Sequence, residues 1–151
     1  QNANWRCVFS TNGKYIACYD SNPITYIYSL EAKEGAEVEK SVSKIQGRSI
    51  ECFSPDSKFI VLSQHKYLAI STGGIGWMPS SRIFINDTES KAQVMELTEH
   101  TTQVKFVNFS ADCTKLISRS EDGIVIIRNF DYDNLLRTKD ALYLPSTKEI
   151  V

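Results

Sequence analysis

One pattern occurs three times in this chain, and it limits the possible folds more than any other feature. Each copy is a short apolar run, a Phe-Ser pair, a polar turn and a second apolar run. The copies are Trp5-Arg-Cys-Val-Phe-Ser-Thr-Asn-Gly-Lys-Tyr-Ile-Ala-Cys18, Ser49-Ile-Glu-Cys-Phe-Ser-Pro-Asp-Ser-Lys-Phe-Ile-Val-Leu62 and Lys105-Phe-Val-Asn-Phe-Ser-Ala-Asp-Cys-Thr-Lys-Leu-Ile-Ser118. The interval from Phe9 to Phe53 is 44 residues, and that from Phe53 to Phe109 is 56. A period of this length marks a structural unit that stacks on its neighbours.

Within each copy the runs are rich in Ile, Val, Phe and Tyr, which favour strands. The breaks between them hold residues with a reason to turn. Glycine in Asn12-Gly13 and Asp122-Gly123 accepts positive φ, and Pro55 presets φ ahead of Asp56. Four strands per unit are expected. In unit one they fall at 5–10, 15–20, 24–30 and 38–45. In unit two they fall at 49–54, 59–64, 82–87 and 92–97. In unit three they fall at 104–110, 115–120, 124–130 and 141–145. The runs at 24–30 and 124–130 are apolar almost throughout, which suits strands covered on both faces. The charged stretch Glu31–Lys44 reads either as a loop with a polar outer strand or as a short helix.

These units resemble the WD40 family. Glu99-His100-Thr-Thr-Gln-Val104 resembles its Gly-His opening, Ser120-Glu-Asp122-Gly123 its hairpin turn, and Arg128-Asn129 stands where Trp-Asp is usual. Unit two keeps Asp87 of that dipeptide with Asn86 for Trp, and unit one has Tyr28-Ser29. The resemblance implies an all-β chain of three four-stranded antiparallel blades, part of a WD40-like β-propeller. Blade one spans 1–47, blade two 48–99 and blade three 100–151. It also implies a buried hydrogen-bond network through His100, Ser120 and Asp122, broken at Arg128. Closed propellers have 4–8 blades in most families. The remaining blades are expected from a longer parent chain, with ring closure between copies as the alternative.

Bulk properties narrow the function. The chain has 151 residues, 42% hydrophobic and 23% charged, with a net charge of −1. That composition is typical of a soluble globular domain, and its near-neutral charge gives no general attraction to nucleic acid or anionic membrane. No apolar run approaches the ~20 residues that span a bilayer, and no signal peptide is visible. A cytoplasmic location is expected, without membrane partners. Cys7, Cys18, Cys52 and Cys113 lack a Cys-x-x-Cys pair, so four reduced thiols are expected rather than a disulfide framework. Asn86-Asp87-Thr88 and Asn108-Phe109-Ser110 fit the glycosylation sequon, but both fall in expected strands and read as chance matches.

No catalytic, metal or cofactor constellation emerges. His65 and His100 have no ligand partners at metal spacing. No serine carries a nucleophile elbow. Gly73-Gly-Ile-Gly76 lacks the full dinucleotide fingerprint. Lys44, Arg48, Lys58, Lys66 and Arg82 read as ordinary charged surface, with a weak basic patch around blade two as the alternative.

The unusual segment is 65–81, expected as a loop inserted between the second and third strands of blade two. By the family resemblance it lies on the face most used for partners. Trp77 and Met78 beside Gly73, Gly74 and Gly76 place bulky apolar groups on a pliable backbone, the composition of interface anchors. Tyr67, Trp77, Met78 and Arg82 are the candidate partner contacts. The alternative is that Trp77 folds back to cap its own blade.

Glu51-Cys-Phe-Ser-Pro-Asp56, the long second-to-third-strand segment, Arg82-Ile-Phe-Ile-Asn-Asp-Thr-Glu-Ser90 and the divergent end of blade three are together similar to the propellers of eukaryotic translation initiation factors. That likeness implies a noncatalytic scaffold with protein partners at the small ribosomal subunit, together with initiator tRNA and mRNA. A generic protein-protein adaptor of a cytosolic complex is the other reading.

Overall fold

In a computed structural model, the described residues are 5–19, 24–31, 42–46, 48–69, 75–131, 133 and 141–144; side chains are described for these except 65–69, 75–80 and 141–144. They form twelve strands. The first sheet holds β1 (Arg6–Phe9), β2 (Tyr15–Tyr19), β3 (Ile24–Ser29) and β4 (Val42–Gln46). The second holds β5 (Arg48–Phe53), β6 (Phe59–Ala69), β7 (Ile75–Asp87) and β8 (Gln93–Leu97). The third holds β9 (Val104–Phe109), β10 (Lys115–Ser120), β11 (Val125–Asn129) and β12 (Ala141–Leu144). Each sheet is an antiparallel meander whose spatial order follows the chain. The architecture is therefore all-β, with three four-stranded blades of a WD40-like partial propeller.

The three Phe-Ser corners are the same object. Ser10, Ser54 and Ser110 each donate from Oγ to the Oδ1 of the residue two positions on, Asn12, Asp56 or Asp112, at 2.8, 2.6 and 2.6 Å. Each of those oxygens also accepts an amide two residues further, from Lys14, Lys58 or Thr114 at 3.0, 3.1 and 3.0 Å. Each serine Oγ then accepts the amide of Tyr15, Phe59 or Lys115 at 2.9, 3.0 and 2.9 Å. The tight return needs one residue with positive φ. Gly13 supplies it at 71°, Ser57 at 62° and Cys113 at 60°. The side-chain oxygens satisfy turn amides that no ladder reaches, which is why short polar residues occupy these positions.

Two apolar layers lie between the blades. Ala17, Ile27, Ile50, Phe53, Ile60, Leu62 and Phe84 fill the space between blades one and two. Phe59, Val61, Ile83, Ile85, Met95, Val107, Phe109, Leu116 and Phe130 fill that between blades two and three. Phe130 joins the latter through edge-on contacts with Phe59 at 5.2 Å and Phe109 at 5.0 Å. Alternate residues of β6 and β7 thus serve opposite layers, as the two-residue period of a strand requires.

The strand covered on both faces is not where sequence placed it. In β3 Thr25 and Ile27 are buried and the rest half-buried; in β11 Ile126 and Arg128 are buried, Val125 and Ile127 half-buried and Asn129 exposed. The fully covered stretches are 59–63 of β6 and 83–86 of β7. The run of apolar residues in β3 and β11 is real, but a strand has two covered faces only where a blade packs on each side.

Two further expectations are corrected. Residues 65–69 and 75–81 are not loop but continue β6 and β7 past the blade. The cysteines are not all reduced: Cys7 and Cys18 form a disulfide, while Cys52 and Cys113 are free. Cys7 and Cys18 are direct cross-strand partners in β1 and β2, with Cα atoms 4.1 Å apart, so antiparallel pairing brings their side chains together. The stretch Glu31–Lys44 ends in the strand β4 from Val42; residues 32–41 lie outside the described ones. Asn86 and Asn108 of the two sequons stand in β7 and β9, and Asn86 is buried.

Candidate functional site

Between Phe59 and Ser63, β6 runs in the middle of its sheet, paired with β5 on one side and β7 on the other. The β5 ladder ends at Arg48 opposite Gln64, and the β8 ladder ends at Leu97 opposite Ile83. Beyond those points β6 and β7 pair only with each other among the described residues. The partners are His65 with Pro79, Lys66 with Met78, Tyr67 with Trp77, Leu68 with Gly76 and Ala69 with Ile75. Blade two therefore carries a two-stranded ribbon that leaves the propeller body. Tyr67, Trp77 and Met78 all stand on it, with Tyr67 opposite Trp77.

A bulge separates ribbon from blade. The register jumps between Ser63 and His65, so that Gln64 alone faces the stretch 80–82 of β7. Extra residues on one strand bend it and sharpen its twist. The Gln64 carboxamide oxygen is buried there without a hydrogen-bond partner. Arg82 closes the blade side of the bulge. It is exposed and pairs with Glu96 of β8 at 3.1 Å, so it joins the ribbon's root to the outer strand.

The root also holds a polar cluster on the inner strands. Ser63 donates to Glu51 Oε1 at 2.6 Å, and its Oγ lies 3.4 Å from that of Ser49. Arg6 of β1 reaches Glu51 Oε2 at 3.8 Å and the Glu51 carbonyl at 3.4 Å. Burial pushes the Glu51 carboxyl up; the Ser63 hydrogen bond and the Arg6 charge pull it partly back. Burial likewise pushes the neighbouring Cys52 thiol up to about 12, which keeps it protonated and unreactive at neutral pH. Glu51 and Ser63 lie in 49–54 and 59–64, which sequence reading treated as plain strands. The bulge in the β5 register between Ile50 and Cys52, which sets Glu51 in place, leaves no mark in composition.

The network expected in blade three is arranged in two parts. His100, buried, meets Ser118 Oγ from Nε2 at 2.8 Å. Ser120 instead donates to Asp122 Oδ1 at 2.5 Å, and that oxygen accepts the Ile124 amide at 3.1 Å, closing the β10–β11 turn at Gly123 with φ 84°. The Asp122 amide is held by Thr102 Oγ1 at 3.3 Å, which ties this turn to the segment after His100. Burial lowers the His100 pKa, the Asp122 charge opposing it, so the ring is neutral at pH 7. Sequence reading missed Ser118. Leu116, Ser118 and Ser120 share the buried face of β10, and parity alone does not choose between the two serines.

Arg128 occupies the place of the usual Trp. It is 2% exposed and forms an ion pair with Glu99 at 2.5 Å, the Glu99 side chain being 30% exposed. The residue that precedes His100 and the residue at the Trp position thus compensate one another: a buried guanidinium is accompanied by a carboxylate within contact.

At the opposite end from the ribbon, the corners of blades one and two and the β7–β8 turn enclose a polar cavity of about 280 Å³, lined by Asn12, Tyr15, Asp56, Ser57 and Thr88 among others. Its two aspartates are occupied by their own turns: Asp56 holds the Lys58 amide and Asp87 the amides of Glu89 and Ser90. Among the described residues, no group of three His, Cys, Asp or Glu side chains is placed to hold a metal ion. No helix among them is long and apolar enough to cross a membrane.

Residues 91–129 match the family model described as WD domain, G-beta repeat. The matched stretch runs through β8, β9, β10 and β11, so it takes the last strand of blade two with the first three of blade three. A WD40-like repeat occupies that part of the chain, and it straddles the layer in which Met95, Val107, Phe109 and Leu116 meet. No curated protein matches the chain.

Proposed function

We propose that the chain is a noncatalytic interaction scaffold in which blade two presents the 65–81 ribbon to a protein partner, with Tyr67, Trp77, Met78 and Arg82 as the contact residues. One observation carries this reading: the two central strands of blade two run past the ends of both neighbouring ladders and pair only with each other among the described residues. Strand length that extends past both neighbouring ladders is costly to maintain, because a lone two-stranded hairpin is marginal in water. A binding role accounts for its presence.

The finer reading is a translation-initiation scaffold acting at the small ribosomal subunit, with initiator tRNA and mRNA in the same assembly. Its support is the likeness of blades two and three to the N-terminal propeller of eukaryotic translation initiation factor 2A, together with the long second-to-third-strand segment in the corresponding blade. The net charge of −1 favours contact through ribosomal proteins over direct RNA binding. A cytoplasmic location belongs to the same reading.

Cosedimentation with purified small ribosomal subunits tests it. Binding is expected at low salt and weakens as salt rises, and Trp77→Ala is expected to lose about 2 kcal/mol of it with an unchanged melting temperature. No cosedimentation at any salt, with one stable protein partner recovered instead, replaces the ribosomal reading with that of a generic adaptor. A sharp fall in melting temperature with unchanged binding assigns Trp77 to capping the blade.

A further inference from the structure

Among the described residues the ribbon has two strands, and its two backbone edges are not equivalent. Along the free stretch of β7 stands Pro79, which has no amide hydrogen to give to another strand. Proline is one of the devices that blunt an exposed strand edge. The free stretch of β6, His65-Lys-Tyr-Leu-Ala69, contains no proline and no glycine. It ends where the β5 ladder stops, at Arg48 opposite Gln64, so a further strand can continue the place that β5 leaves.

Charge restricts what that strand can be. Between His65 and Ser81 the sequence holds no carboxylate, while it holds His65 and Lys66. A second copy of the same edge would bring lysine towards lysine with no acid to offset it. An acidic strand laid along this edge instead brings carboxylates to Lys66.

We propose that the 65–69 edge of β6 takes up an extended, acidic segment of a partner protein by strand addition, making the ribbon a three-stranded sheet. This rests on the reading of the ribbon as the partner-binding arm and specifies how it binds. Main-chain hydrogen bonds from every second residue of 65–69 supply the affinity, and the basic residues select the acidic sequence. The third strand also completes a sheet that is marginal with two.

The test uses the full chain and three capped nine-residue peptides. The first alternates glutamate and valine. The second has the same sequence with alternate backbone amides N-methylated, and the third has lysine in place of glutamate. Residue-resolved amide exchange is the readout. The acidic peptide is expected to bind saturably and to slow exchange at least tenfold at alternate positions within 65–69. N-methylation is expected to abolish binding, and the lysine peptide to bind at least tenfold more weakly. Strand addition is overturned if N-methylation changes nothing, if protection appears along 75–79 instead, or if the acidic peptide fails to bind at millimolar concentration. A concentration-dependent dimer that disappears when 66–78 is replaced by an Asn-Gly turn assigns the edge to a second copy and also overturns it. The shortened variant separates the two levels of the account. If it loses partner cosedimentation while the acidic peptide fails on the full chain, the arm stands and strand addition falls. If it keeps cosedimentation, the arm itself falls.

Discussion

Blade one and blade two begin with the same corner, and the phenylalanine in it has opposite fates. Phe53 is 6% exposed and Phe9 is 64% exposed. The turn geometry does not differ, since both corners carry the same set of hydrogen bonds. The difference is the neighbour. Phe53 packs into the layer towards blade one, and Phe109 in blade three packs likewise into the layer towards blade two. Phe9 faces the side of blade one against which no other described blade packs. Local sequence shapes the corner, and the adjacent blade decides whether its aromatic residue stabilises anything.

Truncation gives the largest expected effect and the sharpest form of this comparison. Phe53→Ala and Phe109→Ala should each destabilise by about 3–5 kcal/mol in denaturant unfolding. Phe9→Ala should cost under about 1 kcal/mol, as a surface change does. Equal losses at Phe9 and Phe53 would break the comparison.

The uncovered face of blade one has a different support. Val8, Tyr15, Ala17 and Tyr19 point towards blade two, so by strand alternation Cys7 and Cys18 lie on the other face, with Tyr26 directly across from Cys18. There the disulfide ties the short strand β1, whose residues are mostly exposed, to β2. Closing a loop of this size is worth about 2–4 kcal/mol through the unfolded chain. Reduction with dithiothreitol should lower stability by that amount, and Cys7→Ser should reproduce it under oxidising conditions. A melting curve insensitive to reductant would remove the disulfide from the account.

Blade three offers a smaller test on its covered face. Glu99→Gln leaves the Arg128 guanidinium buried with a weaker partner. The expected cost is about 1–2 kcal/mol, below that of a fully buried pair because the carboxylate is partly exposed. The smallest effect has the opposite sign. Cys113 takes the positive φ that Gly13 takes in blade one, so Cys113→Gly should stabilise by about 0.5–1 kcal/mol. Gly13→Ala should destabilise by a similar amount through φ alone, since a Cβ there meets nothing within 4 Å.

Much of this was legible in the sequence, for identifiable reasons. Asn12-Gly13, Pro55-Asp56 and Asp122-Gly123 fixed the turns, and β-branched and aromatic runs marked the strands between them. What escaped depended on register. Cys7 and Cys18 are equally far from the Asn12-Gly13 turn, so a hairpin centred there pairs them, yet the lack of a close cysteine motif led to reduced thiols. The ribbon read as a loop because Gly73, Gly74 and Gly76 suggest irregular backbone, although Tyr67 and Trp77 stand equally far from Thr72, just before Gly73. Coverage escaped altogether. Nothing in β3 or β11 states whether a blade lies on each side, and the interleaved layers around β6 and β7 exist only once the blades are stacked.

The same contrast runs along single strands in blade two, where β6 and β7 pass from the covered body into the ribbon. Residue-resolved hydrogen exchange on the free chain reads that passage most directly. If packing neighbours set stability, amides at 59–63 and 83–86 exchange slowest of all, those at 65–69 and 75–78 exchange orders of magnitude faster, and the boundary falls at the bulge beside Gln64. Uniform protection from 59 to 69 would contradict the account, because the ribbon would then be part of the packed body rather than an arm extending from it.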